Sequence, residues 1–480
     1  MKELFKDTIV APATAVGKGA IGIIRLSGKD SISIASKVFS PKRSFGKSKN
    51  LKSAEPYKLV YGTIKEGGGT TLDECMVATF KAPNSYTGEN SVEFYIHASG
   101  YIMNRLVLLL VNLGARMATA GEFTQRAFLN GKMDLAQAEA VADLIASENK
   151  AAHSVALNQM RGGFSKELKG LRDKLLHLAS LVELELDFSE EDVEFAERGV
   201  IGKTIDDISA KIKSLIASFS LGNVIRNGIP VAIVGAVNTG KSTLLNLLVG
   251  DERAIVSEVE GTTRDTIEDT VNIGGNLFRF TDTAGIRKTA ETVEVIGIER
   301  TYKKLHEASV VILMLDATRK NNFEESIKNV SQRIEKNKQE LFVFVNKVDK
   351  PKGDECKILQ ERVLALCTKH KVKAKKVFCT SLKYSNSPTA ELIASLTKYA
   401  QKLTAGAEDG VLVTNARHYQ ALLQAQKSLA VASQGLKAQI APDLLAQDLR
   451  DAIEDLASIT GEITSQDILS NIFKNFCIGK

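Results

Sequence analysis

"IPVAIVGAVNTGKSTLLNLLVG", Ile229 to Gly250, is the stretch that decides the fold of the central part of the chain. Its first six residues form a short run rich in β-branched side chains, which is typical of a buried strand. Its last ten residues predict a helix closed by Gly250. Between them, "GAVNTGKS" (Gly235 to Ser242) fits the pattern G-x-x-x-x-G-K-[ST] of a phosphate-binding loop. We therefore predict a P-loop domain of the α/β class.

Each residue type in this loop has a chemical reason to be there. Gly235 and Gly240 let backbone N–H groups turn inward around phosphate oxygens, and Lys241 supplies a point charge to the outer phosphates. The Ser242 hydroxyl can ligate Mg²⁺. The alternative, a loop that binds no phosphate, is disfavoured because a strand and a helix flank the motif as the pattern requires.

Four further segments follow in the order and spacing of a GTPase: "GTTRD" (Gly261 to Asp265), "DTAG" (Asp282 to Gly285), "NKVD" (Asn346 to Asp349) and "TSLK" (Thr380 to Lys383). The Asp349 carboxylate can accept the N1–H and N2–H of guanine, donors that adenine does not present there. The five segments together predict a GTP site. The residues that we expect to bind GTP are Gly235, Asn238, Thr239, Gly240, Lys241, Ser242, Thr243, Asp282, Thr283, Ala284, Gly285, Asn346, Lys347, Asp349, Ser381, Leu382 and Lys383.

The group that positions the attacking water is left open by spacing alone. Ile286 follows "DTAG", where small signalling GTPases carry a glutamine, and its apolar side chain cannot orient a water. The candidates nearby, any of which can instead be solvated surface, are Arg264, Arg287, Glu291, Glu294 and Glu299.

Asn238 stands inside the P-loop and has two interpretations. Its side-chain oxygen could help to hold a monovalent cation beside the phosphates, and that cation would supply the charge that an arginine finger gives elsewhere. Alternatively, Asn238 is there because asparagine tolerates a left-handed turn.

The surrounding sequence divides into further domains. Residues 226–410 form the predicted GTPase domain, of the Ras-like α/β kind, between two glycine-bearing connectors. Residues 121–225 and 411–480 show apolar residues at three- and four-residue intervals, which predict amphipathic helices that form one helical domain interrupted by the GTPase domain. Residues 1–120 contain short β-branched runs separated by Gly, Pro and Ser, which predict a β-rich α+β domain. The predicted fold class is thus multidomain α/β and α+β.

Composition is that of a globular protein in a reducing compartment. The chain has 480 residues, a net charge of +6, and five scattered cysteines without metal-type spacing. Its longest apolar runs are much shorter than the roughly 20 residues of a membrane span, and its first residues lack a signal-peptide pattern. We therefore expect a cytoplasmic protein without a membrane partner. Two basic stretches, Pro41 to Lys49 and Lys369 to Lys376, are either solvated faces or contacts for nucleic acid.

Several segments resemble the MnmE (TrmE) family of tRNA-modification GTPases, and they span the whole chain. Besides the five GTPase segments, they are "DTIVAPAT" at Asp7, "APNSYTGENSVE" (Ala82 to Glu93), "GEFTQRAFLNGKMDLAQAEAVADLI" (Gly121 to Ile145), "VIGIER" (Val295 to Arg300) and "ITGEITSQDILSNIFKNFCIGK" (Ile459 to Lys480). The last is the most specific, because P-loop GTPases as a class do not share it.

The resemblance implies a particular chemistry. It implies a folate-binding-like N-terminal domain, similar to folate-dependent aminomethyltransferases, through which two copies form a homodimer. It also implies a heterotetramer with the FAD-dependent protein MnmG. The two proteins together would modify C5 of the wobble uridine of certain tRNAs. The carbon would come from 5,10-methylene-tetrahydrofolate or a formyl analogue, and GTP hydrolysis would depend on K⁺.

The resemblance also assigns roles to individual residues. It implies Glu294 as the residue that positions the water. The implied Mg²⁺ ligands are Ser242 and Thr263, and the implied K⁺ ligands are Asn238, Ser257, Val259 and Thr262. The implied folate contacts are Arg25, Glu93, Lys132 and Lys480. Cys477 would lie near the reacting carbon, with a small packing residue as the alternative.

Two positions depart from the family pattern: Val237 stands where a proline is usual, and Ala98 stands where a glycine is usual. Ala98 would be strained if the backbone there needed a positive φ. Two other functions remain open at this point. One is a GTP-switched ribosome-assembly or RNA-binding factor, which the GTPase segments alone would allow, and the other is a GTP-gated dimeric scaffold.

Overall fold

The computed structural model describes residues 7–15, 17–42, 50–187, 197–251, 268–282, 305–335, 338–348, 353–383, 387–404, 410–474 and 476–479. The chain divides into two compact units. One unit comprises Met1–Ile145, Ala156–Ala210 and Ala421–Lys480, and the other comprises Ala146–Val155 and Lys211–Gln420. The finer domain boundaries predicted from the sequence stay a prediction.

A seven-stranded sheet dominates the first part of the chain. Its strands are β1 (Thr8–Pro12), β2 (Gly19–Ser27), β3 (Phe39–Pro41), β4 (Leu59–Lys65), β5 (Thr71–Phe80), β6 (Ser91–Ala98) and β7 (Ala115–Met117). The order is β3-β4-β5-β6-β2-β1-β7, antiparallel throughout except for the parallel pair β1 and β7. The register sets Arg25 of β2 between Ala11 of β1 and Glu93 of β6. The β-rich domain predicted here is confirmed.

One face of this sheet is covered by two helices, α1 (Ser31–Val38) and α2 (Gly100–Asn112). Alternate strand residues such as Ile24, Phe94 and Ile96 point into that core, as the period of two requires. The residues in between, Arg25 and Glu93 among them, therefore project from the opposite face of the sheet.

Helices make up most of the remaining first unit. They are α3 (Glu122–Leu129), α4 (Leu135–Ile145), α6 (Gly163–Asp187), α13 (Pro442–Thr460) and α14 (Gln466–Phe473), while α5 (Lys150–Met160), α7 (Arg198–Asn227) and α12 (Ala416–Lys437) each have residues in both units. Helix α13 packs along α6, and each buries an apolar stripe. The predicted amphipathic helices are therefore confirmed.

The second unit contains a six-stranded sheet. Its strands are β8 (Ile229–Gly235), β9 (Glu268–Ile273), β10 (Asn276–Asp282), β11 (Val310–Asp316), β12 (Glu340–Asn346) and β13 (Ala374–Cys379), in the order β13-β12-β11-β8-β10-β9. All neighbours are parallel except the hairpin of β9 and β10. Both faces of the sheet are buried under apolar residues, including those of α8 (Lys241–Asp251), α9 (Phe323–Ser331), α10 (Gly353–Lys369) and α11 (Ser387–Thr404).

This topology confirms the predicted α/β class and positions the site. Because β8, β11, β12 and β13 are parallel, their carboxyl ends meet at one edge, where ligands bind in open α/β sheets. One detail of the prediction is wrong: Gly250 does not close α8, which runs to Asp251. Within the ranges given above, no helical segment combines the length and the apolar character that a bilayer crossing requires.

Candidate functional site

Two glycines of the P-loop are required by close backbone approach. At Gly235 φ is +155°, and a Cβ would lie 2.4 Å from the Met314 carbonyl oxygen. At Gly240 φ is +103°, and a Cβ would lie 2.2 Å from Asn346 Nδ2. No real Cβ tolerates such distances from atoms this constrained, so the loop can be built only with glycine at these two positions.

Lys241 opens α8 and carries the positive charge of the loop. Its buried Nζ donates to the carbonyl oxygens of Gly235 at 2.7 Å and Ala236 at 2.8 Å, so the ammonium is held against the loop. Ser242 and Thr243 are exposed in the first turn of α8. The helix N-terminus adds unsatisfied N–H groups, which favour an anion. The loop therefore presents donors and charge suited to phosphate, with a hydroxyl beside them suited to Mg²⁺.

Asn346, at the end of β12, joins the P-loop to the "TSLK" loop. Its Nδ2 donates to the Thr239 carbonyl oxygen at 2.8 Å, and its Oδ1 accepts from the Leu382 N–H at 3.0 Å. Ser381 and Leu382 are buried, whereas Lys383 is exposed. The amide thus brings two predicted segments of the GTP site together.

Lys347 follows with a left-handed backbone, φ +67°, and its Nζ donates to Asp316 Oδ2 at 2.7 Å. Asp316 ends β11 and is only 7% exposed, and its Oδ1 accepts from both the N–H and the hydroxyl of Thr318. Burial raises the pKa of Asp316, but the hydrogen bonds from Lys347 and Thr318 outweigh it and leave the pKa below its ordinary value. Sequence reasoning missed Asp316; the signal was an acid at the end of the apolar run "VVILML".

Asn238 and Val237 lie at the outer surface of the P-loop. Asn238 is exposed and has φ +62°, and Val237 is 78% exposed. The left-handed backbone is what the turn interpretation needs, and an exposed amide oxygen is what the cation interpretation needs. Cation binding by Asn238 therefore stays a prediction.

Asp282 is the last residue of β10 and is paired with Ile233 of β8. The predicted site residues that lie outside the described residues are Ser257, Val259, Thr262, Thr263, Thr283, Ala284, Gly285, Glu294, Asp349 and Lys480.

A second cluster of polar residues lies on the open face of the seven-stranded sheet, around Arg25. Its guanidinium carbon lies 5.4 Å from the ring centre of Tyr86 and 5.8 Å from that of Phe123. Its Nε donates to Glu93 Oε1 at 2.8 Å, and Tyr95 donates its hydroxyl to Glu93 Oε2 at 2.7 Å. Burial and the hydrogen bond to the carboxylate raise the pKa of Tyr95 to about 12, so the phenol remains a donor. We call these five residues the Arg25 cluster.

A buried ion network holds the aromatic residues of this cluster in place. Arg126 of α3 is 1% exposed and donates to Glu122 Oε1 at 2.9 Å, to Asp7 Oδ1 at 2.7 Å and to Glu89 Oε1 at 3.2 Å. Glu89 lies in the same loop as Tyr86, and Phe123 is on α3. The network therefore clamps the loop and the helix together. Sequence reasoning missed it, because a single Arg and Glu four residues apart on a helix usually form a surface pair.

The last described residues, 476–479, form a tail that reaches the same cluster. Phe476 packs in the apolar cluster of α4 and α14, and Ile478 forms a β-bridge with Ala120. A Cβ on Gly479 would lie 2.0 Å from the Pro12 carbonyl oxygen, and the Gly479 carbonyl oxygen lies 3.5 Å from Arg25 Nη1. The structure thus brings the tail, β1 and Arg25 into contact.

The other predicted folate residues lie at the margin of this region. Cys477 is exposed, and its carbonyl oxygen accepts from the Gly121 N–H at 3.4 Å. The side chain of Lys132 donates to the Pro83 carbonyl oxygen at 3.1 Å, on the loop that carries Tyr86. Ala98 lies in β6 without a positive φ and pairs with Gly19 of β2, so the alanine at this departure is not strained.

Known proteins are similar to this chain both in the segment of the P-loop and in that of the Arg25 cluster. A family model described as "GTP-binding protein TrmE N-terminus" matches residues 8–132, and one described as "MnmE helical domain" matches residues 135–477. A curated protein of Bacteroides thetaiotaomicron, named "tRNA modification GTPase MnmE", is 48% identical over 479 residues, which cover 99% of this chain and 100% of that protein. This chain belongs to the MnmE (TrmE) family.

Other relatives agree with this assignment. An MnmE protein of Christiangramia forsetii is 47% identical over 479 residues, which cover 99% of each chain. A solved structure, a GTP-binding protein of the archaeon Sulfolobus solfataricus in complex with GDP, is 19% identical and has a TM-score of 0.29, covering 48% of this chain and 67% of that chain. That score carries no conclusion here. The MnmE resemblance proposed from the sequence is confirmed by the family models and the curated relatives.

Proposed function

We propose that this MnmE family member is a K⁺-dependent GTPase that modifies the wobble uridine of certain tRNAs. Together with an FAD-dependent MnmG-like partner, it would place an aminomethyl or carboxymethylaminomethyl group on C5 of that base. The observation that carries the proposal is the 48% identity to a curated tRNA modification GTPase over 99% of the chain. That likeness spans the P-loop, which carries the GTPase part of the proposed chemistry.

GTP hydrolysis follows from family membership and needs GTP and Mg²⁺. Phosphate oxygens would take the place that the two carbonyls hold at Lys241 Nζ, because an ammonium favours an anionic acceptor. Ser242 and Thr263 would hold the Mg²⁺, which neutralises charge on the phosphates. Asn346 would keep the base-contacting loop in register with the P-loop.

K⁺ would be held by Asn238 together with Ser257, Val259 and Thr262, and Glu294 would orient the attacking water. The exposed oxygen-bearing side chain of Asn238 suits a hard monovalent cation. We expect GTP turnover in K⁺ buffer to exceed turnover in Na⁺ buffer by at least tenfold. Equal rates in the two buffers would remove the cation role. Glu294→Ala should abolish hydrolysis and leave GTP affinity nearly unchanged, and a large loss of affinity would instead make Glu294 a structural residue.

The Arg25 cluster suits a folate. Glu93 can accept hydrogen bonds from a pterin ring, and Arg25, Lys132 and Lys480 are cations suited to the anionic end of folate. The bound 5,10-methylene-tetrahydrofolate, or a formyl analogue, would supply the one-carbon unit. The chain's own contribution is to orient that ligand against Arg25, which two aromatic rings hold in place, and to close the site with the tail, where Cys477 stands as a candidate nucleophile.

The proposed assembly is a homodimer that joins two copies of the MnmG-like protein in a heterotetramer and acts on tRNA in the cytoplasm. Within each chain we propose an N-terminal domain over residues 1–120, which would also form the dimer. A helical domain would cover 121–225 and 411–480, and an inserted GTPase domain would cover 226–410.

The decisive experiment is mass analysis of wobble uridine in tRNA from cells that lack this protein. We expect the C5-modified nucleosides to disappear, and to return when the wild-type chain is supplied but not when Lys241→Ala is supplied. An unchanged nucleoside profile would refute the proposed modification. In that case a ribosome-assembly defect, visible as altered subunit profiles, would favour the alternative GTP-switched factor.

A further inference from the structure

Two of the five cysteines lie side by side in the second unit. Cys356 is in the first turn of α10, and Cys379 is the last residue of β13. The Cys356 Sγ lies 4.0 Å from the Cys379 carbonyl oxygen, so the two residues are in contact. We propose that Cys356 and Cys379 form a reversible oxidation site, whose substrate is a low-molecular-weight disulfide and whose state controls the affinity for guanine nucleotides.

The surroundings of this pair differ from those of the two buried cysteines. Both thiols are partly exposed, so that a small oxidant can reach them, whereas Cys75 and Cys367 are buried in apolar cores. Cys356 lies in the first turn of α10, close to the positive end of the helix dipole. Reactive cysteines in proteins occur in such partly accessible, electropositive places, and buried ones are inert.

A covalent change at Cys379 would reach the candidate guanine pocket directly. The next residue, Thr380, donates its N–H to the Val345 carbonyl oxygen at 2.9 Å and accepts from the Val348 N–H at 3.2 Å. Two residues further, the Leu382 N–H donates to Asn346 at 3.0 Å. These three hydrogen bonds tie the loop after Cys379 to Val345 and to the "NKVD" segment that follows it, so a shift at the end of β13 moves both sides of the pocket together.

The chemistry balances with a disulfide RSSR, such as oxidised glutathione, as oxidant. The Cys356 thiolate attacks one sulfur of RSSR, forms a mixed disulfide and releases RS⁻. The Cys379 sulfur then loses its proton to solvent and attacks Cys356 Sγ, which forms the Cys356–Cys379 bond and releases a second RS⁻. Two protein thiols are thus oxidised, and one RSSR is reduced to two RSH.

The order of these steps follows from the environments of the two thiols. Burial, together with the neighbouring Cys356 sulfur, raises the pKa of Cys379 to about 12. Cys379 therefore stays protonated in ordinary buffer, and Cys356 is the group that attacks first. The closing step is slow until a base removes the Cys379 proton, so ring closure should accelerate as pH rises.

The test uses the full chain, oxidised with excess oxidised glutathione and then digested under conditions that preserve disulfides. We expect one peptide pair, linked through Cys356 and Cys379, together with about a tenfold loss of GDP affinity, as when one supporting hydrogen bond is lost. Dithiothreitol should restore both the free thiols and the affinity. The reduced protein is measured first, because failure to bind GDP in that state would refute the proposed GTP site rather than this inference.

Two variants make the result specific. Cys356→Ser should bind GDP as the reduced wild type does, and oxidised glutathione should leave its affinity unchanged. Cys379→Val should stop at the mixed disulfide on Cys356 and form no internal bond. A linked pair other than Cys356 and Cys379, no linked pair at all, or a linked pair with unchanged GDP affinity would each overturn the proposal.

Discussion

Replacement of Gly479 by alanine should release the tail from the N-terminal sheet. The new Cβ would lie 2.0 Å from the Pro12 carbonyl oxygen, where real Cβ atoms keep at least 3.0 Å. The tail and β1 would therefore have to separate by about 1 Å. The contact between the Gly479 carbonyl oxygen and Arg25 Nη1, already 3.5 Å long, would then exceed hydrogen-bonding distance.

The expected cost has two parts. At φ +96° an alanine in place of glycine costs roughly 1–2 kcal/mol. Separation of the tail adds about 1 kcal/mol for each supporting hydrogen bond that is lost. A total of about 2–4 kcal/mol corresponds to an increase of roughly 30- to 1,000-fold in the detached population.

Hydrogen exchange measured by mass spectrometry on peptides covering residues 476–479 would report this release. Exchange should be faster there in Gly479→Ala, while GTP turnover per site is unchanged. Gly114→Ala is the matched control, because Gly114 also has a positive φ, +108°, but open space around its Cβ position. The tail of the Gly114→Ala protein should exchange as in the wild type. Equal tail protection in all three proteins would refute the steric reasoning.

Three further substitutions test other contacts. Arg126→Met should lower the free energy of unfolding by about 2–3 kcal/mol in urea titrations, because the buried Glu122 loses the charged hydrogen bond from Arg126 and keeps only the one cation Arg116. Lys42→Met, which removes the exposed ion pair with Glu74, should have a much smaller effect. Burial raises the pKa of Glu122, but its arginine partners outweigh burial and leave the pKa below its ordinary value. The carboxylate therefore stabilises the fold above about pH 4, and this stabilisation is lost as the pH falls further. Melting temperatures measured against pH would show the loss. Asp316→Ala should speed GDP release about tenfold, as measured by dissociation of fluorescent GDP. Asp316→Asn should bring the release rate most of the way back to that of the wild type. Gly240→Ala should abolish GDP binding in calorimetry without unfolding the chain, and retained binding would mean that the neighbouring amide moves aside.

Much of the fold could be predicted because local patterns here agree with the tertiary structure. The run before Gly235 and the apolar stretch of β12 are continuous because parallel strands are buried on both faces. Strand β6 of the first sheet alternates because one of its sides packs under α1 and α2 and the other is only partly covered. Predictions of element ends were poorer: α8 passes Gly250, because a glycine in a helix costs only about 1 kcal/mol.

The candidate sites were less predictable where residues distant in sequence meet. "GAVNTGKS" indicated phosphate binding by itself, because its function lies in a short backbone segment. Asp316 carries no local motif, and its role appears only when parallel strands set it beside Lys347. The contacts of Tyr86 and Phe123 with Arg25 likewise depend on the register between two strands and on a helix that Arg126 holds in position. No periodic pattern in the sequence predicts either of these.

The contact of Gly479 with Pro12 also sets an order of events during synthesis. More than 460 residues of chain separate these two positions. At about 5–20 residues per second, a ribosome needs roughly 25 to 90 seconds to make that stretch. All strands of the N-terminal sheet are synthesised long before Gly479 is. Until then, the part of the sheet around Pro12 is not covered by the tail. Every chain therefore passes through a stage in which the sheet can fold while the tail has not yet been synthesised. Any factor that binds this edge during translation competes with the tail, and so with completion of the site.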